Sequence, residues 1–114
     1  MSESLNLTEL PEATPVFWPH PAFPLGLIAI RHGQTVNAWH NQCPHQGRPL
    51  NYAPGKFLQT PDGQLMCAAH GATFETRHGE CVAGPCKGAS LHAAETIIDN
   101  ETIRLAPGAD NNNE

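Results

Sequence analysis

Two short stretches pair a thiol with an imidazole: Cys43-Pro44-His45 and Cys67-Ala68-Ala69-His70. Twenty-one residues separate His45 from Cys67. In extended backbone, residues two apart project to the same side, so Cys43 and His45 can face one site. Pro44 stiffens the step between them. Gly47 permits positive φ or a close backbone approach. Ala68-Ala69 lets the chain bend so that His70 returns toward the same site, and Gly71 again removes a side chain there. Two sulfurs and two nitrogens suit zinc or an iron–sulfur centre. Zinc fingers usually place the second histidine pair on a helix. Here each loop supplies one histidine and no helix is legible, which weighs against zinc.

The elements that must carry these loops read as short strands. Leu27-Ile28-Ala29-Ile30 and Thr35-Val36-Asn37-Ala38-Trp39 predict a hairpin about His32-Gly33-Gln34. Trp39 is expected to pack beneath the first loop. Phe57 to Thr60 and Leu65 to Cys67 flank Pro61-Asp62-Gly63-Gln64, a strong turn signal, so this hairpin delivers Cys67 at its end. Thr73 to Thr76 alternates like a half-exposed strand and turns through 77–80 into Cys81-Val82-Ala83, which Gly84-Pro85 ends. Glu95 to Ile98 and Thr102 to Leu105 predict a closing hairpin about 99–101. Pro15 to Pro19 reads as an edge segment, because proline cannot serve a central strand. Pro19, Pro21 and Pro24 then form a stiff connector. Trp18 is expected to be a core residue at an edge. Residues 1–14 read as a fraying arm and 108–114 as a disordered tail.

At 114 residues the chain has room for one domain with a modest core. Eleven prolines, 39% apolar and only 15% charged residues point to a loop-rich all-β domain, not a helical bundle. The expected ordered core runs from about 15 to 107, with an inserted lobe of about 41–86. A net charge of −5 without a basic stripe argues against nucleic acid and suits docking on basic patches of partners. Met1-Ser2-Glu3-Ser4 is acidic where a signal peptide is basic. Leu25 to Ile30, the longest apolar run, is too short for a bilayer. No membrane and a reducing cytoplasm are the expectation, so four cysteines read as metal-binding thiols before disulfides.

Taken together, Cys43-Pro44-His45-Gln46-Gly47, Cys67-Ala68-Ala69-His70-Gly71, Gly79-Glu80-Cys81 and the Gly84-Pro85 loop resemble the Rieske [2Fe–2S] family over about Leu27 to Leu105. The resemblance implies an all-β Rieske-type fold of antiparallel sheets, a sandwich or partial barrel with a small cluster-binding lobe. It implies that Cys43 and Cys67 hold one iron, that His45 and His70 hold the outer one, and that Pro85 covers one side of the cluster. Cys81 and Cys86 then read as reduced thiols in a partly buried loop; the alternative is a redox-active or bridging pair beside the cluster. The remaining histidines, His20, His32, His40, His78 and His92, read mostly as surface or turn residues.

With two neutral imidazoles in place of thiolates, such a cluster passes from zero charge to −1 on reduction. A four-cysteine cluster passes from −2 to −3, the costlier step in low dielectric. The exchange raises the potential into a range of roughly −150 to +300 mV. Respiratory members carry two further cysteines that tie the ligand loops; Arg48 and Ala69 stand at those positions, so that bridge cannot form. They also carry a serine and a tyrosine donating to the cluster sulfurs; here the matching residues are Ala72 and Phe74. Fewer donors disfavour the reduced state, so a potential of about −150 to +50 mV is predicted.

The implied role is a soluble one-electron carrier, a Rieske-type ferredoxin with one [2Fe–2S] cluster. It takes electrons from a flavin-dependent reductase and gives them to an oxygenase or another terminal oxidoreductase, through weak contacts. The exposed edges of His45 and His70 are the expected exit, framed by Pro44, Gly47, Pro49 and Pro85. No catalytic residue is expected: an oxygenase needs a second domain with a mononuclear iron triad. The alternative is a regulatory or accessory subunit that senses redox state or stabilises a complex.

Overall fold

The computed structural model describes residues 4–44, 47–68, 71–84 and 87–106. Its elements in chain order are β1 (Ser4–Asn6), a 3-10 turn (Leu7–Glu9), β2 (Val16–His20), β3 (Phe23–His32), β4 (Thr35–His40), β5 (Leu58–Gln59), β6 (Leu65–Met66), β7 (Thr73–Phe74), β8 (Cys81–Ala83), β9 (Thr96–Asp99) and β10 (Thr102–Leu105). They form three antiparallel sheets, ordered β2-β3-β4, β1-β10-β9 and β5-β6-β7-β8. The third sheet comes wholly from residues between β4 and β9, so it is an insertion. The all-β expectation holds.

Strand β3 is the wall between two cores. Leu27, Ile28, Ala29 and Ile30 are all fully buried. Their alternation sends Ile28 and Ile30 into the lobe core with Trp39, Leu50, Leu65 and Phe74. Leu27 and Ala29 face the opposite core, with Leu7, Trp18, Ala38 and Ile103. A strand covered on both faces reads as a continuous apolar run, which is what the sequence shows. Each large aliphatic buried there contributes about 1.5–3 kcal/mol.

The expected hairpins form with tight turns. Strands β3 and β4 close at His32 opposite Thr35, over Gly33-Gln34, with Gly33 at φ 63°. Strands β9 and β10 close at Asp99 opposite Thr102, with Asn100 at φ 59°, a conformation asparagine tolerates better than most residues. The lobe joins the base through a two-stranded neck. His40 N–H donates to the His92 carbonyl and Ala94 N–H to the Ala38 carbonyl, both at 2.8 Å, so the returning chain runs along β4.

Two expectations are corrected. The stretch before residue 15 is not a frayed arm over its described part: β1 pairs with the edge of β10, and Leu7 and Leu10 are buried. Asn6 caps the intervening turn, accepting from the Thr8 N–H at 2.9 Å. Three leucines at irregular spacing among polar residues show no period, yet one sheet edge and one turn suffice to bury two of them. The proline connector is instead a strand pair. Pro19 lies in β2 where the register with β3 shifts, a position that tolerates a missing donor, and Pro24 lies inside β3. The tail at 108–114 lies outside the described residues. Among those described, no helix is long and apolar enough to cross a membrane.

Candidate metal centre

Cys43 and Cys67 begin two turns that are closed in the same way. Cys43 N–H donates to the Arg48 carbonyl at 2.7 Å, and Gly47 N–H donates back to the Cys43 carbonyl at 2.7 Å. Cys67 N–H donates to the Ala72 carbonyl at 2.8 Å, and Gly71 N–H donates back to the Cys67 carbonyl at 2.9 Å. The glycine four residues on has φ 73° in the first turn and 75° in the second. Only glycine occupies that region without strain, so both loops need it at that place. Strand β4 leads into the first turn and β6 into the second, as the hairpin reading expects.

Both thiol-bearing residues are fully buried in one apolar core with Trp39, Leu50, Leu65 and Phe74. Trp39 thus lies where the sequence places it, packed in the core of the first ligand loop. His45 and His70 lie outside the described residues, as do Pro85 and Cys86. Of the expected docking residues, Pro44 and Pro49 are half-buried and Gly47 is exposed. Ala72 and Phe74 are fully buried beside the second turn, and neither offers a side-chain donor.

Asn41 joins the two loops, and no spacing rule singles it out. It is 1% exposed. Its Oδ1 accepts from Leu50 N–H at 2.9 Å. Its Nδ2 donates to the Leu25 carbonyl at 3.0 Å and to Asn51 Oδ1 at 2.8 Å. Leu50 in turn accepts from Ala68 N–H at 3.2 Å, immediately after Cys67. A continuous polar chain therefore runs from β3 through Asn41 and Leu50 to the second loop. It ties the loops where Arg48 and Ala69 preclude a disulfide.

The third loop packs by close backbone approach. A Cβ on Gly84 would lie 2.7 Å from Ala72 Cα, so only glycine lets this loop rest on the second turn. Gly79 plays the same part against Trp39, where a Cβ would meet Nε1 at 2.6 Å. Cys81 is not in a partly buried loop: it is 1% exposed on β8, and its thiol donates to the Ala83 carbonyl at 3.2 Å.

The lobe is pinned to the base by side chains. Asn37 donates to the Arg77 carbonyl at 3.0 Å, and His32 Nε2 lies 3.1 Å from the Thr76 carbonyl. Burial pushes the Glu75 carboxyl up, but hydrogen bonds from His78, Arg77 and Gly79 outweigh it and hold the group below its ordinary value. His40 is buried, not a surface histidine, with its ring 4.7 Å from that of Phe23. Desolvation, and then the neighbouring His92, lower its pKa from 6.5.

A family model for the Rieske [2Fe–2S] domain matches residues 8–100, which include both cysteine–histidine stretches. The chain belongs to the Rieske [2Fe–2S] domain family. The family's group is a two-iron, two-sulfide cluster, and two buried thiols on matched turns fit its sulfur-ligated end. Among solved structures, the ferredoxin of carbazole 1,9a-dioxygenase from Nocardioides aromaticivorans IC177 superposes with a TM-score of 0.70 at 22% identity, over 93% of this chain and 96% of that one. The terminal oxygenase of the same system gives 0.69 at 19% identity, over 90% of this chain but 29% of that one. At these identities the likeness shows the fold. A curated relative, the oxidoreductase NdmD of Pseudomonas putida, is 37% identical over 51 residues, 45% of this chain. That segment spans 8% of NdmD.

Proposed function

We propose that Cys43, Cys67, His45 and His70 hold one Rieske-type [2Fe–2S] cluster and that the chain is a cytoplasmic one-electron carrier. It links a flavin-dependent reductase to an oxygenase or other terminal oxidoreductase, with no catalytic residue of its own. The observation that carries this is the matched pair of turns that bury Cys43 and Cys67 in a single core. Bound there, the cluster accepts and releases one electron. The chain keeps water from the two thiols and sets the loops with Asn41 and Leu50. Carrier use is supported by the ferredoxin neighbour, 96% of which this chain matches, where the oxygenase neighbour is matched over 29% of its length.

The domain reading stands with it: one Rieske-type domain with the lobe at about 41–86. The test is anaerobic purification followed by iron and acid-labile sulfide analysis and low-temperature EPR of the reduced protein. Two irons and two sulfides per chain are expected. Cys43→Ser should abolish the cluster and His70→Cys should lower its potential, as expected for mixed ligation. Zinc without labile sulfide, or a cluster unaffected by His70→Cys, would overturn the ligand assignment. A flavin reductase that reduces the protein in many turnovers per minute supports the carrier role. Cluster loss as the only response to oxidants would instead favour a sensor.

A further inference from the structure

The acidic net charge does not describe the end of the molecule that carries the ligand loops. Residues 41–91 hold Arg48, Lys56, Arg77 and Lys87 against Asp62, Glu75 and Glu80, a formal +1. The remainder carries −6 of the total −5. The contrast is sharper at the tip. The segments 41–52, 66–72 and 82–88 contain two formal charges, Arg48 and Lys87, and no carboxylate; Glu80 comes next, bridged to Ser90.

Both cations belong to loops that meet the cysteine turns. Arg48 closes the first turn through its carbonyl and is exposed. Lys87 is exposed in the loop whose Gly84 rests on the second turn, and its N–H donates to the Gly84 carbonyl at 3.2 Å. Among the described residues the ion pair is His78 with Glu75, so no described carboxylate neutralises either cation. Arg48 lines a cavity of about 360 Å3 with Pro49, Asn51, Tyr52 and Ala68. Tyr52, at 55%, is the most exposed large apolar residue among those described. An arginine and an aromatic at the rim of a concavity are the residue types that anchor protein interfaces.

We infer that this tip docks an acidic face of a protein redox partner, with a partner carboxylate seated in the Arg48–Tyr52 cavity. The inference deepens the carrier reading and rests on it. It also reverses the expectation from net charge: the carrier meets acidic, not basic, patches. A cationic docking surface steers an acidic partner before contact, and the encounter rate falls with salt.

The partner is unidentified, so charged inorganic complexes stand in for it. Holoprotein reduced by dithionite is mixed in stopped flow with hexacyanoferrate(III) or hexaammineruthenium(III). One electron passes to the complex, which leaves one unit more negative; no bond is made or broken. The hexacyanoferrate rate should fall as ionic strength rises. Arg48→Glu with Lys87→Glu should slow it by about tenfold at low salt and invert the salt dependence. Asp99→Lys with Glu101→Lys, at the base, should leave it nearly unchanged. A second readout needs no electron transfer: the 59Co line of the redox-inert hexacyanocobaltate(III) should broaden with wild type and not with the tip variant.

A wild-type hexacyanoferrate rate that rises with salt would overturn the inference. So would tip and base variants that behave alike. Failure of both oxidants to oxidise the reduced protein would sink the carrier reading, and the cobalt line would still decide whether the cationic tip binds anions.

Discussion

Asn41→Leu keeps the side-chain volume close to that of wild type and deletes every polar bond at the hub. Three partners are affected, and their costs differ. The Leu50 N–H is in a fully buried residue, where water cannot replace Oδ1. Leaving such a donor unpaired costs about 1–3 kcal/mol. The Leu25 carbonyl belongs to a residue 36% exposed and Asn51 is half-buried, so both can turn to solvent. Each then loses about 0.5–1 kcal/mol. The expected total is about 2–5 kcal/mol, a large part of the 5–15 kcal/mol typical of a domain. The variant should fold with its loops loosened, because no strand-to-strand pairing of the three sheets involves the Asn41 side chain.

Denaturant unfolding of the holoprotein, followed by cluster absorbance and by far-ultraviolet dichroism, separates the two effects. In the variant the cluster signal should be lost at lower denaturant than the sheet signal, and chelator should bleach it faster. Asn41→Asp provides a second arm. Its carboxylate still accepts from Leu50 N–H but meets two acceptors, the Leu25 carbonyl and Asn51 Oδ1, in place of two partners. Its pKa should be raised in the folded state, so stability is fullest at low pH and is lost as pH rises through the raised value. Wild type has no such group at this place. Asn41→Leu within about 0.5 kcal/mol of wild type, with unchanged bleaching, would refute the idea that this amide couples the loops.

Three further outcomes can be checked. Gly84→Ala places a Cβ 2.7 Å from Ala72 Cα at φ 100°, so it should cost about 2–4 kcal/mol in denaturant titrations and hasten cluster loss. His40 is held neutral by burial and by His92. Its penalty is absent above the ordinary value of 6.5 and grows as pH falls below it, so His40→Phe should flatten the loss of stability on acidification in thermal melts. Voltammetry at neutral pH should place the midpoint between about −150 and +50 mV, and Ala72→Ser should raise it by supplying a donor; a wild-type value above about +200 mV would remove the argument from Ala72 and Phe74.

What could be read in advance followed the physics of each signal. Runs of β-forming residues and turn chemistry are local, so Leu27 to Ile30, the 61–64 turn and the closing hairpin were legible. The positive φ open to Gly47 was legible too, whereas Gly71 read only as a missing side chain and takes the same conformation. Asn41 was not legible. Its role comes from meeting Leu25, Leu50 and Asn51 in space, and an asparagine near a turn has many ordinary uses. Leu7 and Leu10 were missed for a related reason: their burial is decided by the far end of the chain, where β10 offers its edge to β1. His40 looked like one more surface histidine until β3 and the returning segment at 92–94 closed over it.

The two cores explain why such a lobe can hold a reactive group without being stiff throughout. β3 presents Ile28 and Ile30 to the lobe and Leu27 and Ala29 to the base, so one strand's register fixes both. The lobe's own strands are only two or three residues long and could not stand alone. Their positions depend on the wall of β3, on the neck bonds at His40 and Ala94, and on the Asn41 chain. Perturbing the base core should therefore lower global stability with little effect on cluster spectra. Perturbing the Asn41 chain should disturb the cluster spectra more than a base-core change of equal free-energy cost. Ile103→Val, in the base core, against Asn51→Ala, at the loop, puts that division to a direct test, with unfolding midpoints and EPR line shape as the two readouts. Equal effects of both substitutions on both readouts would mean that the cores are not separable and that β3 transmits strain as freely as it divides them.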